Sequence, residues 1–122
     1  MKMARAMTPM EISLNQDAQN LPQLANMEAH AGDASRLLRS IANPNRLMLL
    51  CFLIDGEQSV SALNQNISLS QSALSQHLAV LRAEELVTTR RENQTIFYTL
   101  SNHPILKILD TLHSIYCAPL LK

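Results

Sequence analysis

Residues 70–82 read SQSALSQHLAVLR, and this stretch decides the fold that the sequence predicts. On a helix, at about 100° per residue, its leucines fall on one side and its short polar side chains fall on the other. The residues of the polar side are Gln71, Ser72, Ser75, Gln76, Ala79 and Arg82. Glutamine can pair with adenine through two hydrogen bonds and serine can donate or accept one, so this side suits base edges in the major groove of DNA.

His77 lies on the apolar side of the same predicted helix, beside Ala73 and Leu81. A lone histidine on an apolar face is more often a satisfied part of the core than a ligand or a base contact. We therefore expect a partly buried structural role for His77.

The segment before residues 70–82 predicts the first half of a helix-turn-helix. Ser59 is suited to cap a short helix over 60–65, and Ser70 is suited to cap the next helix, which runs to about Glu85. The polar stretch 66–69 between them predicts a tight turn.

The segment after residues 70–82 predicts a β-hairpin with the position and polarity of a wing. Its strands cover 86–91 and 95–100, and Glu92-Asn93-Gln94 forms the turn. An arginine on such a hairpin can hold phosphate or enter the minor groove. The candidate DNA contacts of the hairpin are Arg90, Arg91, Asn93 and Gln94.

Further out, three more helices complete the predicted fold. Spacings of three and four predict a helix from Leu24 to about Asn43. Asn43-Pro44 then caps and starts a helix over 44–54 that is apolar all round and should be central to the core. The last helix, over 105–116, has an apolar face wider than one small domain needs, which indicates a homodimer.

The predicted fold class is mainly α with a small β-hairpin, in the order ααααββα. This order of elements is typical of a dimeric winged helix-turn-helix protein that binds a double-stranded DNA operator. The domain covers residues 21–122, and residues 1–20 are interpreted as a mobile N-terminal arm.

Composition and charge set limits on function. Ten basic and ten acidic residues give no net charge, so any positive charge that meets DNA must be local. Two glycines argue against a glycine-rich phosphate loop, and no cofactor is indicated. The sequence shows no secretion signal and no run that crosses a membrane, so we expect a cytoplasmic protein without a membrane partner.

Three segments together resemble the ArsR family of bacterial repressors: NPNRL at 43–47, SQSALSQHL at 70–78 and RRENQTIFY at 90–98. The resemblance covers about residues 24–117. It implies a homodimer of winged-helix units whose operator affinity falls when an inducer binds or reacts elsewhere. Two common metal-sensing patterns of the family are absent, because residues 59–63 read SVSAL and Asp110 is followed two positions later by Leu112.

Cys51 and Cys117 are the thiols of the chain. Cys51 alone could be a small apolar packing residue, and spacing does not pair the two. Their positions resemble the sulfide- and persulfide-responsive branch of the ArsR family, the BigR, SqrR and HlyU type. That resemblance implies a redox-sensing pair, with reactive sulfur species as inducer and a disulfide or polysulfide bridge that releases DNA.

Three alternatives remain open at this point. Asp110, His113 and Cys117 share a helical face and could contribute to a zinc site in a metal-sensing repressor, although a structural site wants four ligands. A dithiol peroxidase is disfavoured because neither thiol has an evident acid or base beside it, so no catalytic residue is assigned. A redox-insensitive antisilencer is the third reading.

Overall fold

The computed structural model describes residues 17–101 and 103–117, and it confirms the predicted class: mostly helical with a small antiparallel sheet. The elements are α1 (Asp17–Ile41), α2 (Pro44–Phe52), β1 (Gln58–Ser59), α3 (Val60–Asn66), α4 (Gln71–Ala83), β2 (Val87–Glu92), β3 (Thr95–Leu100) and α5 (His103–Cys117). The chain divides into two compact units, the first ending at Arg36 within α1 and the second running from Leu37 onward. No helix in the described ranges is long and apolar enough to span a membrane.

The first helix begins at Asp17, earlier than the predicted start at Leu24. Periodicity detects a helix only where an apolar stripe repeats, and the stretch before Leu24 has none, although alanine, glutamine and leucine favour helix. The predicted arm over 1–20 lies outside the described residues as far as residue 16, and its last residues belong to α1.

The helix starts follow the predicted caps. The Asn43 Oδ1 atom accepts from the backbone N–H of Asn45 and of Arg46, at 3.0 and 3.1 Å. The Ser59 and Ser70 hydroxyls each accept one N–H of the first turn of α3 and α4, at 3.1 Å. Each cap satisfies amide groups that have no partner inside the helix, and this fixes where the helix begins.

The second helix differs from its prediction in two respects. It ends at Phe52, and the chain turns through Leu53 and Ile54 towards Gly56, whose φ of +138° favours glycine. The helix is also not buried all round, because Met48 remains 44% exposed whereas Leu49 and Leu50 are fully buried. An apolar run alone does not tell which of its side chains the core covers.

The predicted hairpin forms, with its first strand one residue later than predicted so that Glu92 belongs to the strand, and a short third strand joins it. Strands β2 and β3 are antiparallel, and Asn93 at the tip adopts φ +58°, a conformation that asparagine tolerates. Strand β1 pairs with the other edge of β3, with Ser59 opposite Phe97, so the sheet order is β1-β3-β2. Strand β1 was not predicted, because two residues are too few to show an alternating pattern.

The core brings these elements together within the second unit. It is formed by Ile41, Leu49, Leu50, Leu53, Leu63, Leu74, Leu78, Leu81, Leu86, Val87, Ile105 and Leu109. The core fixes the three leucines of α4, Leu74, Leu78 and Leu81, and the opposite side of α4 therefore faces solvent.

Arg46 joins three elements at the edge of this core. Its Nε donates to the Ser40 carbonyl at 2.6 Å and its Nη2 to the Arg39 carbonyl at 3.2 Å, both in the last turn of α1. Its Nη1 lies 3.4 Å from the Nδ1 of His77 on α4. The last carbonyls of a helix lack partners within it, so Arg46 supplies donors that the end of α1 needs.

We expect the substitution Arg46→Ala to lower the free energy of unfolding by about 1.5–3 kcal/mol, the usual range for hydrogen bonds that involve a charged group. Urea unfolding of the two proteins measures the difference. Arg82→Ala, which removes an exposed arginine from α4, is the matched control and should change stability by less than about 0.5 kcal/mol. Equal effects of the two substitutions would show that Arg46 is not a structural link.

Candidate DNA-binding face and thiol pair

Helix α4 presents the polar side that the sequence predicted, which we call the recognition face. Its members are all exposed: Gln71, Ser72, Ser75, Gln76, Ala79 and Arg82. On the opposite side, Leu74 and Leu81 are fully buried and Leu78 is 1% exposed. Helix α3 and the turn over 67–70 precede α4, which is the arrangement of a helix-turn-helix.

His77 is half-buried, as expected of a structural residue. The Nη1 atom of Arg46 on α2 approaches the Nδ1 atom of His77 to 3.4 Å. His77 therefore connects α4 to the chain segment that follows α1, and the recognition face does not include it.

Arg90 was predicted as a DNA contact of the hairpin, and the structure shows carboxylate partners that the sequence did not reveal. Its Nε and Nη2 donate to the two carboxylate oxygens of Glu57 at 2.7 and 2.8 Å, and its Nη1 donates to Glu92 at 3.0 Å. The guanidinium also lies 4.5 Å from the centre of the Phe97 ring, its neighbour across the strands. Two carboxylates thus offset the charge of Arg90, and Arg90 ties the hairpin to the segment before β1.

The electrostatics of this group follow from the hydrogen bonds. The Arg90 guanidinium holds the pKa of the Glu57 carboxyl below its ordinary value, chiefly by hydrogen bonding, and the pKa of Arg90 is raised by the same contacts. Arg91, Asn93 and Gln94 are exposed near or at the tip of the hairpin. Arg91 is accordingly the hairpin arginine better placed to contribute a charge to a partner.

We expect Glu57→Gln to lower the melting temperature by on the order of 1–4 °C at low salt and less at high salt, because the pair is exposed and screened. The lowered pKa of Glu57 means that the contribution is present at neutral pH and is lost as pH falls through that value, below 4.5. Thermal melts across pH and salt measure this effect. Asp55→Asn, in the same exposed loop, is the control and should not change the melt.

An open groove of about 710 Å³ separates the start of α4 from the hairpin. We call it the amide groove, because four carboxamides line it: Asn64, Gln65, Gln71 and Gln94. The hydroxyls of Ser61 and Ser75 add further polar groups, and none of the described residues that line the groove is charged. Sequence reasoning missed this groove, since its members come from three elements.

Cys51 and Cys117 are both half-buried and both free. Cys51 packs against the core from α2, and Cys117 is the last residue of α5. Burial raises the pKa of the Cys51 thiol, and the charge of the Cys117 thiolate raises it further. This effect means that Cys117, far from Cys51 in sequence, lies within electrostatic range of it in the fold.

The described residues show no cluster of metal-ligating side chains that would form the alternative zinc site. Asp110 and His113 are exposed on α5. Within 17–101 and 103–117, no group of three or more histidine, cysteine, aspartate or glutamate side chains is arranged to hold a metal ion.

The helix-turn-helix, the exposed polar face of α4 and the three-stranded wing define a winged-helix DNA-binding protein. Residues 43–89 match the model of bacterial regulatory proteins of the arsR family. The chain belongs to the ArsR family of transcriptional regulators. The relatives that it matches are DNA-binding regulators and not enzymes.

Several relatives are similar over most of their length. The chain is 50% identical to the transcriptional activator HlyU of Vibrio cholerae over 77% of this chain and 87% of HlyU. It is 42% identical to the biofilm growth-associated repressor of Agrobacterium fabrum, over 92% and 93% of the two chains. Two solved structures share the fold: reduced HlyU from Vibrio cholerae has a TM-score of 0.71, with 50% identity over 75% of this chain and 97% of that one. The repressor BigR from Xylella fastidiosa has a TM-score of 0.73, with 41% identity over 76% and 95%.

Proposed function

We propose that this regulator is a cytoplasmic repressor whose homodimer binds operator DNA and releases it when reactive sulfur species join Cys51 to Cys117. The observation that carries the proposal is that both thiols are free and half-buried, with Cys117 at the end of α5 within electrostatic range of Cys51 on α2. The relatives support it, since BigR is described as a repressor and HlyU has been solved in a form described as reduced.

The operator contacts are assigned to α4 and the hairpin. Gln71, Ser72, Ser75 and Gln76 read base edges in the major groove, because amides and hydroxyls at the start of α4 are the first groups to enter it. Arg82 and Arg91 hold phosphates, with Asn93 and Gln94 beside them at the hairpin tip. Arg90 acts through the hairpin, which it fixes to Glu57.

A second copy of the chain is the proposed cover for α5. Ile115 and Tyr116 are 63% and 79% exposed, and Leu106 is exposed as well. Ile105 and Leu109 on the same helix are buried in the core. The apolar arc of α5 is therefore wider than the part that its own domain covers, and large exposed apolar patches mark interaction surfaces.

The bridging chemistry needs a thiolate and a donor of sulfane sulfur. One cysteine thiolate attacks an organic persulfide, takes up its outer sulfur and releases the organic thiol. The second cysteine attacks the new protein persulfide, forms the disulfide and expels hydrogen sulfide. A further sulfur transfer before closure leaves extra sulfur in the bridge, which relaxes the limit of about 7 Å between Cα atoms for a direct disulfide.

The raised pKa of Cys51 predicts how this thiol titrates. Folded Cys51 should reach half-ionisation above its ordinary value of 9.0, and Cys117→Ser should move that midpoint back towards it without restoring it, because burial is the larger cause. Alkylation of Cys51 followed by mass spectrometry across pH measures the midpoint, since the thiolate is the reacting form. The same residue in urea is the control. Identical midpoints in folded and unfolded protein would contradict the environment described for Cys51.

The raised pKa of Cys51 also sets the direction in which the stability of the protein changes with pH. A thiol whose pKa is higher in the folded state contributes stability that is fully present below the unfolded pKa and is lost as pH rises through the folded value. Alkaline solution should therefore destabilise the wild type more than Cys51→Ala.

Mass spectrometry under non-reducing conditions tests the proposal without an operator. Reduced protein is treated with an organic persulfide and, separately, with peroxide, and the peptides are then identified. The proposal predicts one linked peptide that contains both cysteines, with extra sulfur in the link after persulfide. Free or separately capped thiols would overturn it, and the cysteines would then be packing residues.

A further inference from the structure

The exposed charges of the DNA-binding side are few. Along α4 and the hairpin, the exposed arginines are Arg82, Arg90 and Arg91. Arg90 is paired with Glu57 and Glu92, so its charge is offset where DNA would lie. Two arginines per protomer, Arg82 and Arg91, are left to neutralise phosphates from these elements.

The amide groove lies between the two elements that are proposed to contact DNA. Helix α4 forms one wall through Gln71 and Ser75, and the hairpin tip forms the other through Gln94. If α4 occupies the major groove and the hairpin reaches the adjacent minor groove, the sugar–phosphate strand between those grooves crosses the space between the two elements. Asn64 and Gln65 of α3 also line the groove between these two elements.

We propose that the amide groove holds this strand through uncharged hydrogen bonds from the carboxamides of Asn64, Gln65 and Gln94 and the hydroxyl of Ser61. The inference rests on the operator binding proposed above and specifies its physical basis. Amide N–H and hydroxyl groups donate to phosphate oxygens but displace no condensed counterion, whereas each arginine that neutralises a phosphate does. Operator binding by this protein is consequently less sensitive to salt than its number of phosphate contacts suggests.

The part of the salt dependence that comes from α4 and the hairpin follows from the count of their arginines. Two per protomer give four in a dimer, and a slope of about −0.9 per neutralised phosphate predicts that these four contribute a loss of about 100- to 200-fold between 50 and 200 mM salt. An interface with six to ten neutralised phosphates loses about 10³- to 10⁵-fold over the same range.

The test uses a duplex selected from random DNA by the reduced full-length protein, with affinity measured from 50 to 200 mM salt. Asn64→Ala and Gln65→Ala should each weaken binding by about 5- to 30-fold, because a dimer loses one hydrogen bond in each half-site, and should leave the salt dependence unchanged. Arg91→Gln should instead reduce the salt-induced loss by about tenfold. Asn66→Ala is the matched control, since this carboxamide donates to Ala62 in its own helix and lies outside the groove.

The outcomes separate the two proposals. If no duplex is selected at any salt, the operator binding itself is wrong. If a duplex binds but Asn64→Ala and Gln65→Ala behave like Asn66→Ala, the groove does not hold the strand. Weakened binding at constant salt dependence supports the inference.

Discussion

Cys51→Ser is expected to leave the operator affinity of reduced protein within about twofold of the wild type and to abolish its response to persulfide. In the wild type that response should be a 5- to 150-fold loss of affinity, the usual range for coupling between two sites. Serine keeps the size of the side chain but cannot form the bond to Cys117. Fluorescence anisotropy with a labelled operator, before and after persulfide treatment, measures both quantities.

Cys117→Ser is the matched variant, because it removes the other half of the bridge and leaves the apolar surroundings of Cys51 intact. It should be equally unresponsive. A double variant that still loses affinity after persulfide would show that the signal acts elsewhere, and a wild type that never responds would favour a redox-insensitive antisilencer.

Ile115→Glu is expected to have the second large effect, by separating the dimer. Glutamate at this 63% exposed position costs the monomer little, but it places a charge in the proposed interface. A monomer reads one half-site and loses the gain of about 10²- to 10⁴-fold that comes from binding two together. Sedimentation and operator titration measure the two consequences.

Ser114→Glu is the control for Ile115→Glu. It adds the same charge to the same helix, on the side opposite Ile105, and should leave the dimer and its affinity unchanged. A dimer that persists in Ile115→Glu would show that α5 is not the contact between copies.

The fold was largely predictable because the residues that start its helices act on backbone groups close to them in sequence. Asn43, Ser59 and Ser70 start their helices through hydrogen bonds to amides two or three residues away, and such signals stand in the sequence. The polar side of α4 follows from helical period alone. Strand β1 was missed because it pairs with β3, which is distant in sequence, and its two residues are too few to show a strand pattern.

The candidate site was predictable only in part. The recognition face needed one helix, whereas the neutralisation of Arg90 depends on Glu57, a residue that only the β1–β3 pairing brings within reach. The amide groove likewise combines side chains from α3, α4 and the hairpin. The proposed pairing of Cys51 with Cys117 came from family resemblance, since no spacing rule joins α2 to the end of α5.

The most direct test of sulfur-controlled DNA release compares one sample in two states. Operator affinity is measured on reduced protein, on the same protein after mass spectrometry has verified the Cys51–Cys117 bridge, and again after a thiol reductant has opened it. The account predicts a 5- to 150-fold loss on bridging and full recovery on reduction. A bridged protein that binds the operator as tightly as the reduced protein would contradict it.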